Sequence, residues 1–281
     1  MIKTLAAPIR GYLPSDYPHD VYQSPTDNFH CTEMLSVPCR VRDAREDLHR
    51  SSTSSLLEQS GFTLASGRRV EYGQADFQAK TFRDACEVVE SLLPSTMHNL
   101  FAQSQYMTLR RSQEGGVVPC LHADYSRSAE EYWRTLACFT SLDNANAWKE
   151  RFACADVRAY QVFNVWRVLQ PDYDDFMPLG MVSRESVVSR DIVLGREALP
   201  GSPDGQLSNF LRLRYSADHD WCYFSSMRDD EMIVFQSFSL DKDPSVPVTA
   251  GCFHAAVDNS EASFRRPSRV SCEYRIGVFL S

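Results

Sequence analysis

The sequence predicts a mainly β protein with flanking helices, its core a double-stranded β-helix, or jelly-roll. Three observations point there. Seven or eight short segments of strand character fill the chain beyond Gln105, residues such as Pro, Gly, Asp and Ser punctuate them, and most follow one another with no helix between. Parallel strands need a crossover connection, usually a helix, so this order favours an antiparallel sandwich or barrel.

Taken in order, residues 1–78 are rich in Ser, Pro, Arg and Asp. They are expected to form an arm that wraps the main body, with a short strand around Leu35 to Val41. Residues 79–104 read as helical: Lys80 to Leu93 puts Phe82, Cys86, Val89 and Leu93 at helical spacing, and Pro94 stops the run. Residues 105–281 are assigned to the jelly-roll core, beginning with Tyr106 to Arg111 and a Glu114-Gly115-Gly116 turn. A helical insert at about 127–153 interrupts it, where Ser128 to Leu136 and Asp143 to Phe152 each start on an N-capping residue type. Later strands are expected at Arg158 to Leu169, Ile192 to Leu194, Phe210 to Tyr215, Trp221 to Phe224, Glu231 to Phe238, Val248 to His254 and Val270 to Leu280. At 281 residues the chain is read as a single domain.

Composition narrows the function classes. An apolar fraction of 43% with 23% charged residues is that of a globular protein with a core. A formal charge of −8 argues against a nucleic-acid partner, since phosphate contacts need clustered Lys and Arg. Met1 to Pro14 lacks the pattern of a signal peptide, and no stretch approaches the roughly 20 apolar residues of a membrane span. The nine cysteines are scattered, with no C-x-x-C and no pairing rhythm. A reducing, cytoplasmic location is therefore expected.

The chemistry rests on histidines. A carboxylate and two imidazoles hold non-haem iron while leaving coordination positions open for an oxidant and a cosubstrate. His122-Ala123-Asp124 places two ligand-type side chains at i and i+2, on one face of an extended segment. Alone, H-x-D is equally well a solvated loop pair. His254 is the candidate third ligand, because Gly251 to Val257 is apolar and would solvate a lone imidazole poorly; a hydrogen-bonded core histidine is the bland alternative. Further on, alternation puts Arg269, Ser271, Glu273 and Arg275 on one face of a strand and Val270, Cys272 and Tyr274 on the other. Arg269 and Ser271 offer a guanidinium fork and a hydroxyl to one carboxylate, a pairing that would clamp the distal end of a dicarboxylic acid whose other end chelates iron. The alternative there is a solvated edge strand.

These segments carry a resemblance. His122 to Ser126, Asn164-Val-Trp-Arg167, Trp221 to Phe224 with Met227 and Glu231, His254 to Asp258 and Arg269 to Arg275 resemble, in order, the successive blocks of the CmcJ/NvfI family of oxygenases. That family is also known as AsaB-like hydroxylase/desaturase or gibberellin desaturase-like. The likeness runs from about Phe29 to the C-terminus, more faintly at first through Asn28-Phe29, Arg42 to Arg45 and Gly61-Phe62. It implies an Fe(II), 2-oxoglutarate and O2 dependent enzyme of secondary metabolism. Such enzymes hydroxylate, desaturate or form endoperoxides on terpenoid, meroterpenoid or peptide-derived small molecules. It further implies His122, Asp124 and His254 as iron ligands, with Arg269, Ser271 and Arg275 gripping 2-oxoglutarate. Three positions depart from the pattern: Val168 and Asn259 stand where a Pro is usual, and Gln236 where a basic residue is expected.

Pocket walls are expected among Tyr106, Tyr125, Trp166 and Trp221, which supply aromatic area. Either a homodimer or a heterodimer with a related subunit is compatible with the resemblance. Two rival readings remain open: an accessory jelly-roll subunit of a heterodimeric oxygenase, and a cupin-like metal enzyme that does not use 2-oxoglutarate.

Overall fold

Side chains alternate between the two faces of a strand, and here the alternation builds two cores on one sheet. The computed structural model describes residues 3–23, 34–94, 98–102, 108–111, 118–170, 175–198, 207–263 and 269–281. The first sheet runs in order through Phe62–Ser66 (β4), Glu231–Asp241 (β12), Ala159–Gln170 (β7), Val270–Leu280 (β14) and His98–Ala102 (β5), and Thr108–Arg111 (β6) also pairs with β14. On its outer face Val270, Cys272, Tyr274, Ile276 and Val278 pack against Ala85, Val88 and Val89 of the helix Phe77–Leu92 (α2). On its inner face Trp166, Val168, Ile233 and Phe235 meet Leu179, Met181 and Cys222 of the opposing sheet. Two facing sheets, antiparallel except where Trp221–Tyr223 pairs parallel with Leu35–Asp43, enclose a packed interior and form the jelly-roll the sequence predicts.

The second sheet runs through Thr4–Tyr12 (β1), Leu35–Asp43 (β3), Trp221–Tyr223 (β11), Leu179–Val182 (β8) and His254–Ala256 (β13). A small third sheet joins Leu207–Leu213 (β10), Ile192–Ala198 (β9) and Val21–Gln23 (β2). The N-terminal segment thus contributes β1 and β3 to the second sheet. Behind them the helix Thr53–Ser60 (α1), capped by Ser52 and closed by Gly61 at φ +85°, leads into β4. Arg42 and Arg45 dock this segment: Arg42 pairs with Asp220 at 2.8 Å, and Arg45 meets Glu231 through two bonds of 2.9 and 2.8 Å.

The insert forms two helices, Ala129–Phe139 (α3) and Leu142–Ala153 (α4), each capped by a serine: Ser128 accepts from the Glu131 amide and Ser141 from the Asn144 amide. Tyr132 and Trp133 press α3 onto Tyr160 and Phe238 of the first sheet.

Some expectations differ from the fold. The strand expected at Val248 to His254 begins only at His254. Before it the chain bonds singly to two strands, Cys252 N–H donating to the Gln236 carbonyl at 2.8 Å and the Phe253 carbonyl accepting from Val182 N–H at 2.9 Å. Gly251 allows that approach, since a Cβ there would lie 2.3 Å from the Ser237 carbonyl oxygen. Strand β8 went unread because all four of its residues are buried and show no alternation. Asn28, Phe29, Tyr106 and the Glu114 to Gly116 turn lie outside the described residues.

Candidate metal centre

His122 and His254 face each other across an antiparallel bridge, with amide-to-carbonyl bonds of 3.2 and 2.9 Å in the two directions. Register therefore brings together two residues far apart in the chain. Each imidazole is oriented by the carbonyl two residues before it: His122 Nδ1 lies 2.7 Å from the Cys120 carbonyl oxygen and His254 Nδ1 3.0 Å from that of Cys252. A carbonyl can only accept, so both rings carry a proton on Nδ1 and turn Nε2 inward. The ring centroids are 4.4 Å apart, and His122 Nε2 is 3.6 Å from Asp124 Oδ1. One ligand atom from each of His122, Asp124 and His254 lies within 4.8 Å of the others. All three side chains are buried or nearly so.

Electrostatics suit a cation. Burial would raise the Asp124 pKa, but the charge and hydrogen bonds around it, those of the Arg275 guanidinium first, hold it well below the usual carboxylate range. Burial, with His254 adding to it, pushes His122 down, so the ring is neutral and able to ligate.

Asn164, which the sequence reading did not assign to the site, and Arg275, which it assigned to the cosubstrate, hold Asp124 in place. Asn164 Nδ2 donates to Asp124 Oδ2 at 2.6 Å and, more weakly, to Glu273 Oε1 at 3.3 Å. The amide cannot flip without loss, because its Oδ1 accepts from Ser237 Oγ at 2.9 Å. Asn164 is fully buried in β7, and a carboxamide within the otherwise apolar stretch Val162 to Trp166 was the available signal. Arg275 donates to Asp124 Oδ1 and to the Tyr125 hydroxyl, each at 3.1 Å.

Arg275 is thus placed differently from the sequence reading. Six residues along one strand separate it from Arg269 by about 20 Å, so the two cannot grip one small dicarboxylate together. Arg269 is buried with its guanidinium 5.0 Å from the Trp166 ring centroid, beside a cavity of about 30 Å³ that Phe224 and Met227 also line. Ser271, on the same face, is fully buried, and its hydroxyl has no hydrogen-bond partner among the described residues. Tyr125 is buried against Tyr132 and Phe238, its hydroxyl on Arg275. Trp221 faces away: it packs with Tyr12 and Val41 behind the second sheet and donates to the Tyr12 hydroxyl at 2.8 Å, while its neighbour Cys222 takes the inner face. Tyr106, the remaining expected wall, falls outside the described residues. Cys120 is disulfide-bonded, which the scattered cysteines with no pairing rhythm did not suggest.

Among the described residues no helix is long and apolar enough to cross a membrane. A search of curated proteins finds no match. Solved structures of the iron and alpha-ketoglutarate-dependent endoperoxidase NvfI share the fold. One in a different conformation aligns at a TM-score of 0.67 and 18% identity over 99% of this chain and 97% of that one. A tryptophan-to-phenylalanine variant aligns at 0.66 and 18% over 99% and 96%, and a third NvfI structure at 0.62 and 18% over 99% and 97%. The family model described as oxidoreductase/YMDC permease-like domain matches residues 13–279. With nearly its whole length matched, this jelly-roll chain belongs to the oxidoreductase/YMDC permease-like domain family.

Proposed function

We propose that this protein is a non-haem iron(II)- and 2-oxoglutarate-dependent oxygenase, one domain across the chain, that oxidises an unactivated C–H bond of a small, largely apolar molecule. The observation that carries this reading is the convergence of His122, Asp124 and His254, with their ligand atoms within 4.8 Å and both imidazoles turned Nε2 inward. Two nitrogens and one carboxylate suit iron(II) and leave room for other ligands. His122, Asp124 and His254 would hold the metal. Arg269 and Ser271 would take the distal carboxylate of 2-oxoglutarate, and the buried, unsatisfied Ser271 hydroxyl fits that part. Bound there with O2, the metal and cosubstrate supply an oxidant able to break a C–H bond.

The chain's own contribution is positional. Asn164 and Arg275 hold the Asp124 carboxylate, and the two backbone carbonyls fix the imidazole tautomers. Apolar neighbours such as Trp166 and Phe235, whose ring lies 4.7 Å from His254, keep water from the centre. The substrate class we favour is a terpenoid, meroterpenoid or peptide-derived metabolite, with hydroxylation, desaturation or endoperoxide formation as outcomes.

Anaerobic titration with Fe(II) and 2-oxoglutarate tests the reading. The expected result is a visible charge-transfer absorption in the wild type that Asp124→Ala abolishes while the circular dichroism stays native. Tight metal binding with no 2-oxoglutarate-dependent band would favour a cupin-like enzyme instead. Turnover appearing only with a second subunit would favour an accessory role.

A further inference from the structure

The first sheet also borders a cavity on the side away from the metal centre. Within β7, Asn164 turns inward to Asp124, while the adjacent Phe163 turns outward and lines a cavity of about 600 Å³. That volume lies within the roughly 300–1,000 Å³ of small-molecule sites. Its apolar wall includes Leu57, Phe163 and Leu280, and its polar wall Arg184, Gln236 and Ser239.

Arg184 is the unusual member. Its guanidinium is held by neutral acceptors, the Gln236 side-chain oxygen and, at 3.4 Å, the Glu58 carbonyl. Nε is buried with no hydrogen-bond partner among the described residues. Glu58 also borders the cavity, yet it meets Arg184 through its backbone rather than its carboxylate. No ion pair to Arg184 occurs among the described residues, and burial lowers its pKa with no carboxylate among the groups that offset this. The side chain as a whole is half-buried, and a guanidinium partly withdrawn from water with no carboxylate beside it is incompletely compensated. A smaller cavity of about 190 Å³ also borders Arg184, so space for a ligand exists around the guanidinium.

We propose that this cavity is a second ligand site, distinct from the metal centre, that takes an amphipathic monoanion: a carboxylate head on Arg184 and a hydrocarbon tail along Leu57, Phe163 and Leu280. The head would supply the missing counter-charge, and a guanidinium offers a carboxylate two parallel donors. The tail would replace water on the apolar wall.

Isothermal titration of the full chain with octanoate, without added metal, tests this. The expected result is saturable binding of octanoate by the wild type, at least tenfold weaker binding of 1-octanol, and at least tenfold loss of octanoate affinity in Arg184→Met. Arg184→Lys should keep binding within a few fold, since the charge remains. Equal affinity for octanoate and octanol, no binding of octanoate by the wild type, or undiminished binding by a folded Arg184→Met would each overturn the proposal. The octanoate and octanol comparison needs no variant, so it decides the matter even if Arg184→Met does not fold. Fe(II) and 2-oxoglutarate binding is a separate readout, and its failure would leave this one standing.

Discussion

Asp124 shows how much of a candidate metal site would lie in residues that never touch the metal. Its Oδ2 is taken by Asn164 and its Oδ1 faces both Arg275 and His122. Partners of ligating carboxylates typically matter by 10–100-fold in metal affinity. Asn164→Leu is therefore expected to weaken Mn(II) binding by about that factor, read by calorimetry, with secondary structure preserved; unchanged affinity would refute the positioning role. Arg269 and Arg275 should separate in the same way. Arg269→Ala is expected to raise the 2-oxoglutarate requirement with little change in metal affinity, whereas Arg275→Ala should alter metal affinity first. Matching effects on 2-oxoglutarate from both would restore Arg275 to the cosubstrate.

At the scale of elements, the site depends on how β7 and β14 are backed. Helix α2 lies across the outer face of the first sheet, and a buried ion pair pins it: Arg167 Nη1 is 2.9 Å from Asp84 Oδ2, with side chains 1% and 4% exposed. Arg167 also donates to the Arg68 and Asp229 carbonyls at 2.7 and 2.8 Å. Residues on β7 therefore divide by parity, Asn164 and Trp166 toward the centre and Val165 and Arg167 toward α2. Asp84→Ala strands a buried guanidinium and is expected to cost about 3–5 kcal/mol in urea unfolding. A loss below about 1 kcal/mol would mean that Arg167 finds compensation elsewhere.

For the molecule as a whole, the N-terminal segment is tied to the core by charge as well as by strand pairing. Arg45, just past β3, meets Glu231 at the start of β12 through both carboxylate oxygens. Burial pushes the Glu231 pKa up, but the Arg45 hydrogen bonds, the Arg228 amide and the charges of both arginines together outweigh it, and the net shift is downward. A depressed folded pKa contributes stability that is present above the unfolded value of about 4.3 and is lost as pH falls through the folded value. Wild type is thus expected to lose stability on acidification below about pH 4.3 more steeply than Glu231→Gln. Parallel pH profiles of the two midpoints would contradict this.

The chain on its own specified strand parity, helix starts and the ligand types. Arg269 and Ser271 do share a face opposite Cys272 and Tyr274, and α3 starts behind the Ser128 cap the sequence suggested, whereas α4 is capped by Ser141, two residues before the expected Asp143. Such features are local, set by a period of two or by a serine oxygen reaching an amide three residues on. Tertiary structure alone decided that Arg275 meets Asp124, that Asn164 backs that carboxylate, that Trp221 turns outward and that β1 joins the second sheet. Those outcomes depend on which strands become neighbours and in what register, and pairing between residues far apart leaves no period in the sequence to read.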